Sequence, residues 1–347
     1  MIPDHITPDW PSLQDIRDTA RLLAPHIVRT PTLAWNSPTI ARRLGADTQL
    51  HLKLELFQVT GTFKARGALT WALSLTPEQK ARGITAVSAG NHAIAAAFAA
   101  KAIGAPARIV VLKSANPLRL AMARDLGAEI IIAETGAEGF AIADRLVKEQ
   151  GLTFIHPFDG RNVALGTGTL GAEIADDAPE LDAVVVAVGG GGLASGAARA
   201  IKLLRPDCAV YGVEPVGADS MRRSFDTGGP VKLDRIDTIA DSLAPPMSLP
   251  YGFALARAHI DDIVLVDDDA MCAALALLQA EARLAVEPAA AAATAALMGP
   301  LAGRLAGKRV CLIICGANID GATYGQFLAR GRQHSAGLET GLEARKN

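Results

Sequence analysis

Ala183-Val184-Val185-Val186-Ala187-Val188-Gly189-Gly190-Gly191-Gly192-Leu193-Ala194-Ser195-Gly196 reads as an apolar run, a glycine turn and the start of a helix. A β-branched run without polar alternation is a strand buried on both faces, the mark of a parallel sheet covered by helices. Similar runs occupy 50–56, 84–87, 107–112, 129–133, 182–188, 208–214, 263–266 and 308–314. Between them, Ala- and Leu-rich stretches predict helices at 64–74, 91–103, 117–126, 136–148, 162–175, 192–204, 268–283 and 288–298. This alternation predicts an α/β fold with mainly parallel twisted sheets flanked by helices. The segment 84–155 carries its own alternation. We therefore expect a small domain, 76–157, inserted into a discontinuous large one, 1–75 and 158–335. A polar tail, loosely ordered from about Arg332, is expected to follow over 336–347.

Composition narrows the function. Half of the 347 residues are hydrophobic, 20% are charged, 4% are aromatic, and the formal net charge is -2. That apolar fraction excludes a disordered chain. So few rings and so little positive charge exclude the basic groove and stacking platform of a nucleic-acid binder. The Ala-rich runs at 91–100 and 288–298 fall short of the roughly 20 apolar residues of a membrane span. The first residues lack the basic start and apolar core of a signal peptide, so a soluble cytoplasmic protein is expected. Cys208, Cys272, Cys311 and Cys315 show no Cys-x-x-Cys spacing and read as reduced, buried thiols.

In an open α/β sheet, ligands bind beyond the carboxyl ends of the strands. Four such loops carry chemistry. Gly189, Gly190, Gly191 and Gly192 let backbone N–H groups crowd an anion at a helix N-terminus, which suits a phosphate. This loop also satisfies Gly-x-Gly-x-x-Ala with Glu214 about 20 residues on, so on its own it leaves a dinucleotide cofactor open. Gly166-Thr167-Gly168-Thr169-Leu170-Gly171 gives a second match, without a strand before it. In Gly61-Thr62-Phe63-Lys64-Ala65-Arg66-Gly67, a lysine opens a helix beside an aromatic and glycines. That is a surface lysine or a desolvated amine able to form a Schiff base. Ser88-Ala89-Gly90-Asn91-His92 supplies either helix caps or a cradle for a substrate carboxylate. The fourth loop is Cys315-Gly316-Ala317-Asn318.

In this order, the four loops resemble the fold-type II pyridoxal-phosphate enzymes, in particular the threonine/serine dehydratase and serine racemase family. His156-Pro157-Phe158-Asp159, Gly212-Val213-Glu214-Pro215, Thr238-Ile239-Ala240-Asp241 and Glu287-Pro288 extend the resemblance over 30–330. A dinucleotide fold would explain the glycine loop and Glu214 but neither Lys64 nor the Asn91 loop. The resemblance implies a two-domain fold similar to the tryptophan synthase β chain. It implies pyridoxal 5'-phosphate held by Lys64 as a Schiff base, Phe63 beside the ring, Asn91 at the ring hydroxyl, and Glu287 at the cofactor. The amides of Gly189, Gly190, Gly191, Gly192 and Leu193 would hold the phosphate. Cys315, where many relatives carry serine, would face the pyridine nitrogen. Ser88, Ala89, Asn91 and His92 would bind the substrate carboxylate.

The activity this implies is a lyase of amino-acid catabolism, a dehydratase or ammonia-lyase. It would convert L-threonine or L-serine to a 2-oxo acid and ammonia by β-elimination, with Lys64 as the base. Serine racemases place a second serine where this chain has Ala89, which carries no proton to the opposite face. Serine racemase, 3-hydroxyaspartate dehydratase and a noncatalytic ligand-binding relative stay as alternatives. The hydroxyaspartate reading needs a cation, for which Arg66 and Arg119 are the candidates. Some relatives bind Mg or Ca through the glutamate of Gly-Val-Glu-Pro, a backbone carbonyl and an aspartate. Glu214 and Ala218 match the first two, but the third falls at Ser220, with Asp219 one residue off, so a divalent cation stays open. A homodimer is expected, since relatives commonly form dimers. The chain ends without room for a regulatory domain, so feedback inhibition by isoleucine is not expected.

Overall fold

The computed structural model describes residues 9–88, 90–113 and 115–343. Among the described residues, ten strands form two sheets: β1 (Thr32–Ala34), β2 (Gln49–Leu54), β3 (Ile84–Val87), β4 (Ala107–Leu112), β5 (Glu129–Ala133), β6 (Thr153–Phe154), β7 (Ala183–Ala187), β8 (Ala209–Pro215), β9 (Asp262–Val266) and β10 (Arg309–Ile314). The larger sheet has the order β1-β2-β10-β7-β8-β9 and the smaller β5-β4-β3-β6. Every pairing is parallel except that of β1 with β2. At the centre, Leu312 of β10 stands opposite both Leu52 of β2 and Val185 of β7. Those neighbours are buried, as expected of a sheet covered on both faces.

The covering helices are α1 (Leu13–Leu23), α2 (Pro38–Leu44), α3 (Lys64–Leu73), α4 (Pro77–Arg82), α5 (Asn91–Ala102), α6 (Pro117–Asp125), α7 (Gly136–Gln150) and α8 (Arg161–Asp177). They continue with α9 (Gly192–Leu204), α10 (Ser220–Thr227), α11 (Pro250–His259), α12 (Asp268–Leu277), α13 (Pro288–Met298), α14 (Ala302–Leu305) and α15 (Gly321–Glu343). Among the described residues, no helix is long and apolar enough to cross a membrane. The smaller sheet draws only on residues between Ile84 and Phe154, and the larger on the flanking chain. We propose that the two sheets mark two domains, with the chain passing between them near 75 and 158.

Some local expectations change. The strand expected over 50–56 stops at Leu54, because Glu55 turns inward to meet Arg66. The helix expected over 268–283 leaves α-geometry at Leu277 for a wider turn, Leu278–Ala282, ending at Arg283 with φ 62°. Of the tail expected from about Arg332, 344–347 lie outside the described residues, and the backbone to Glu343 is helical as part of α15. There Gly331 lets α15 press against the Cys272 carbonyl of α12, where a Cβ would overlap that oxygen. The glycines of 166–171 lie inside α8, within the helix expected over 162–175, and not after a strand as a nucleotide fingerprint requires. A Cβ at Gly166 would collide with the backbone of Arg66, so this glycine brings α8 against α3.

That contact surrounds a buried charge network. Arg66 donates to Glu55 at 2.9 and 2.8 Å and to Glu173 at 2.8 and 2.9 Å, while Lys53 reaches Glu173 at 2.6 Å. Arg66, Lys53 and Glu55 are fully buried. Removing one member of such a network strands its partners' charges out of water, at a cost of about 3–5 kcal/mol. Arg66→Ala should lower stability by about that amount in urea unfolding; a loss under about 1 kcal/mol would contradict this reading.

Candidate active site

The site forms where the carboxyl ends of both sheets converge on the start of α3. Phe63 N–H donates to the Cys315 carbonyl at 3.2 Å, and Ala317 N–H donates to that of Gly61 at 3.0 Å. These bonds tie the loop after β10 to the turn before Lys64. Gly61, at φ 73°, fits only without a Cβ, which would overlap the Asn318 amide. Lys64 Nζ lies 5.1 Å from the Phe63 ring centroid and donates to the Pro157 carbonyl at 2.6 Å. Burial lowers its pKa to about 8, with Cys315 and Glu287 opposing the fall. Such an amine is an available nucleophile and base near neutrality.

The glycine loop faces Lys64 across the cavity, which Phe63, Asn91, Phe158 and Leu193 also line. No side chain caps α9, which begins at Gly192 after Gly191 in the left-handed region at φ 94°. A Cβ at Gly190 would overlap the Phe158 ring, and one at Gly192 the Phe158 carbonyl. The packing thus leaves a bare helix N-terminus open to an anion. An amine able to condense with an aldehyde and a bare phosphate cradle fit pyridoxal 5'-phosphate. Buried Cys315 lines the same cavity, and burial raises its thiol pKa far above the ordinary value, so it stays neutral.

A polar lattice closes the opposite side. Glu287 accepts from Asn91 Nδ2 at 2.9 and 3.0 Å, from Ser242 Oγ at 3.2 Å and from Arg119 at 2.8 Å. Asn318 Nδ2 donates to Asn91 Oδ1 at 2.9 Å. Arg119, on α6, also binds Asp241 and the Asn318 carbonyl, so it joins the smaller sheet's layer to loops of the larger one. Burial raises the pKa of Glu287, and Arg119 opposes that rise. For Arg119, burial works against the charge, but Glu287 and Asp241 outweigh it and raise its pKa.

Other expected residues fall as follows. Ser88 Oγ accepts from Gly90 N–H at 3.0 Å, and α5 starts at Asn91 with no side-chain cap, leaving its N-terminus directed into the site. Ala89 lies outside the described residues. His92 is buried with Nε2 2.9 Å from the Ile155 carbonyl, and burial lowers its pKa to about 3. Its ring is thereby committed to the backbone.

The residues named for a divalent cation, Glu214 and Ala218, lie at the end of β8 and in the turn after it. Both Glu214 oxygens accept backbone N–H groups at the start of α10, from Met221 at 2.8 Å and Arg222 at 2.7 Å. Asp219 pairs with Arg223. Among the described residues, no cluster of three or more His, Cys, Asp or Glu is placed to hold a metal. The Glu214 oxygens thus cap the start of α10. Of the two candidate cations for an acidic substrate, Arg66 is sealed behind α3 and Arg119 is already paired with two carboxylates.

Residues 23–316 match the family model described as pyridoxal-phosphate dependent enzyme. The chain is 50% identical over 284 residues to a phenylserine dehydratase of Ralstonia pickettii, covering 82% of this chain and 87% of that protein. It is 36% identical to an L-threonine ammonia-lyase of Thermotoga maritima, over 89% of this chain and 76% of the relative. The structure of maize serine racemase superposes with a TM-score of 0.86 at 32% identity, covering 94% and 99% of the two chains.

In cofactor-free protein, Lys64 should become reactive toward an acylating reagent as pH rises through about 8. Mass-spectrometric labelling across pH measures this; a midpoint near the ordinary lysine value of about 10.4 would contradict the burial argument.

Proposed function

The chain belongs to the pyridoxal-phosphate dependent enzymes, and from that premise we propose that it dehydrates a neutral β-hydroxy amino acid to a 2-oxo acid and ammonia. The observation carrying this reading is the Lys64 amine, lowered to about 8 and facing a cavity whose nearby arginine is already neutralised. Bound pyridoxal phosphate would supply an electron sink for the substrate Cα. Lys64 would remove the Cα proton. The amides of Gly189, Gly190, Gly191, Gly192 and Leu193 would hold the phosphate, and neutral Cys315 would face the ring nitrogen without protonating it. Ser88 and the N-terminus of α5 would hold the substrate carboxylate, and Asn91, fixed by Glu287 and Asn318, would orient the ring. Loss of the β-hydroxyl as water leaves an enamine, which takes up water and releases ammonia and the 2-oxo acid.

Two features support an aromatic side chain, with 3-phenylserine ahead of L-threonine and L-serine. One is the half-identical phenylserine dehydratase. The other is the pair of rings, Phe63 and Phe158, that line the cavity, since an aromatic side chain packs favourably against such rings. Racemisation is disfavoured because Ala89 carries no proton. We further propose a cytoplasmic homodimer, which cell fractionation and sedimentation check.

A coupled assay over 3-phenylserine, L-threonine, L-serine and 3-hydroxyaspartate tests the assignment. We expect ammonia and 2-oxo acid from the neutral substrates, with kcat/KM at least ~10-fold higher for 3-phenylserine than for serine. Lys64→Ala should lose about 100-fold or more. Ammonia from none of the four would overturn the dehydratase reading, and preference for hydroxyaspartate would overturn the substrate class.

A further inference from the structure

His156 makes two hydrogen bonds through one ring nitrogen. Nδ1 accepts from Phe158 N–H at 3.2 Å and from Asp159 N–H at 2.9 Å. A nitrogen that accepts from two amides carries no proton, so the neutral ring holds its hydrogen on Nε2. Phe158 N–H and the Pro157 carbonyl belong to the same planar peptide unit and point in opposite directions. Fixing that N–H on His156 therefore fixes where the carbonyl aims, and Lys64 Nζ lies 2.6 Å from its oxygen. Pro157 adds a fixed φ and restricts His156 to extended backbone. On the far side, Asp159 Oδ1 accepts Gly252 N–H at 2.7 Å, and the Phe158 ring packs against Gly190. One turn thus borders both the lysine and the glycine loop.

We propose that His156 is a positioning residue: through the 157–158 peptide plane it aims the Pro157 carbonyl that orients the Lys64 amine. A neutral amine with one N–H held by that carbonyl keeps its lone pair in the remaining tetrahedral directions. His156 itself moves no proton. Burial, followed by the Lys64 charge, lowers its pKa to about 4, consistent with a ring that stays neutral while it accepts. The inference rests on Lys64 being the reactive amine.

The test exploits shape. His156→Asn puts an oxygen where Nδ1 stands, an arrangement that asparagine adopts naturally in turns, whereas His156→Gln puts it nearer the position of Nε2. His156→Leu removes the acceptor. Each cofactor-free variant is assayed for thermal stability and for Lys64 acylation across pH, then reconstituted for kcat and KM. We expect His156→Asn to keep the native acylation midpoint and kcat within about threefold. His156→Gln should move the midpoint and lower kcat by about 10–100-fold, with KM changed by less than about threefold. Equal behaviour of the Asn and Gln variants, or an unmoved Lys64 midpoint in folded His156→Leu, would overturn the proposal. Because acylation is read without cofactor or substrate, a wrong substrate assignment leaves that arm intact.

Discussion

Two residues beyond Lys64, the guanidinium of Arg66 is wholly withdrawn from water between Glu55 and Glu173. Burying such charges brings little net stability against an apolar alternative, but a broken set is costly, so the network specifies one arrangement strongly. The arrangement is that of α3. Glu55 follows β2, Glu173 lies in α8, and Gly166 admits α8 to contact distance. With α3 held from behind, Lys64 at its first turn projects toward the cavity, and the loop after β10 fastens the preceding turn. The position of the amine is thus a consequence of charges that never meet the substrate.

From there the site is a meeting of strand ends. The larger sheet contributes the glycine loop after β7 and the Cys315 loop after β10; the smaller contributes the Asn91 loop after β3. Between them, Arg119 reaches from α6 to Glu287 and Asp241. Its charge is therefore spent within the protein, which favours a substrate side chain without a charge. Both His92 and His156 are kept neutral by burial and bind backbone groups, leaving Lys64 as the proton carrier of the proposed chemistry.

Much of this was legible in the sequence, for physical reasons that also explain the gaps. Runs such as 183–188 declare buried parallel strands because nothing polar interrupts them, and Gly189, Gly190, Gly191 and Gly192 declare a close backbone approach. Strands β1 and β6, of three and two residues, carry no periodicity to detect. The Gly166 motif matched a nucleotide fingerprint in sequence because a glycine serving helix packing looks the same in one dimension. The capping role of Glu214 was not legible, because accepting from residues seven and eight positions later has no local signature. Arg119 was visible as a charge, but Asp241 and Glu287 lie 122 and 168 residues away. The Pro157 carbonyl could not be seen at all, since every residue has one; His156-Pro157-Phe158-Asp159 was its only trace.

The central claim is that Lys64 serves as a base on one face of a neutral β-hydroxy amino acid, so that the substrate eliminates without racemising. Following 3-phenylserine by NMR in deuterated water, with chiral analysis of the remaining substrate, tests it most directly. We expect 2-oxo acid and ammonium in equal amounts, unreacted substrate of unchanged configuration, and conversion by Lys64→Ala lowered about 100-fold or more. Racemised substrate, or conversion by Lys64→Ala within about tenfold of the native enzyme, would contradict it.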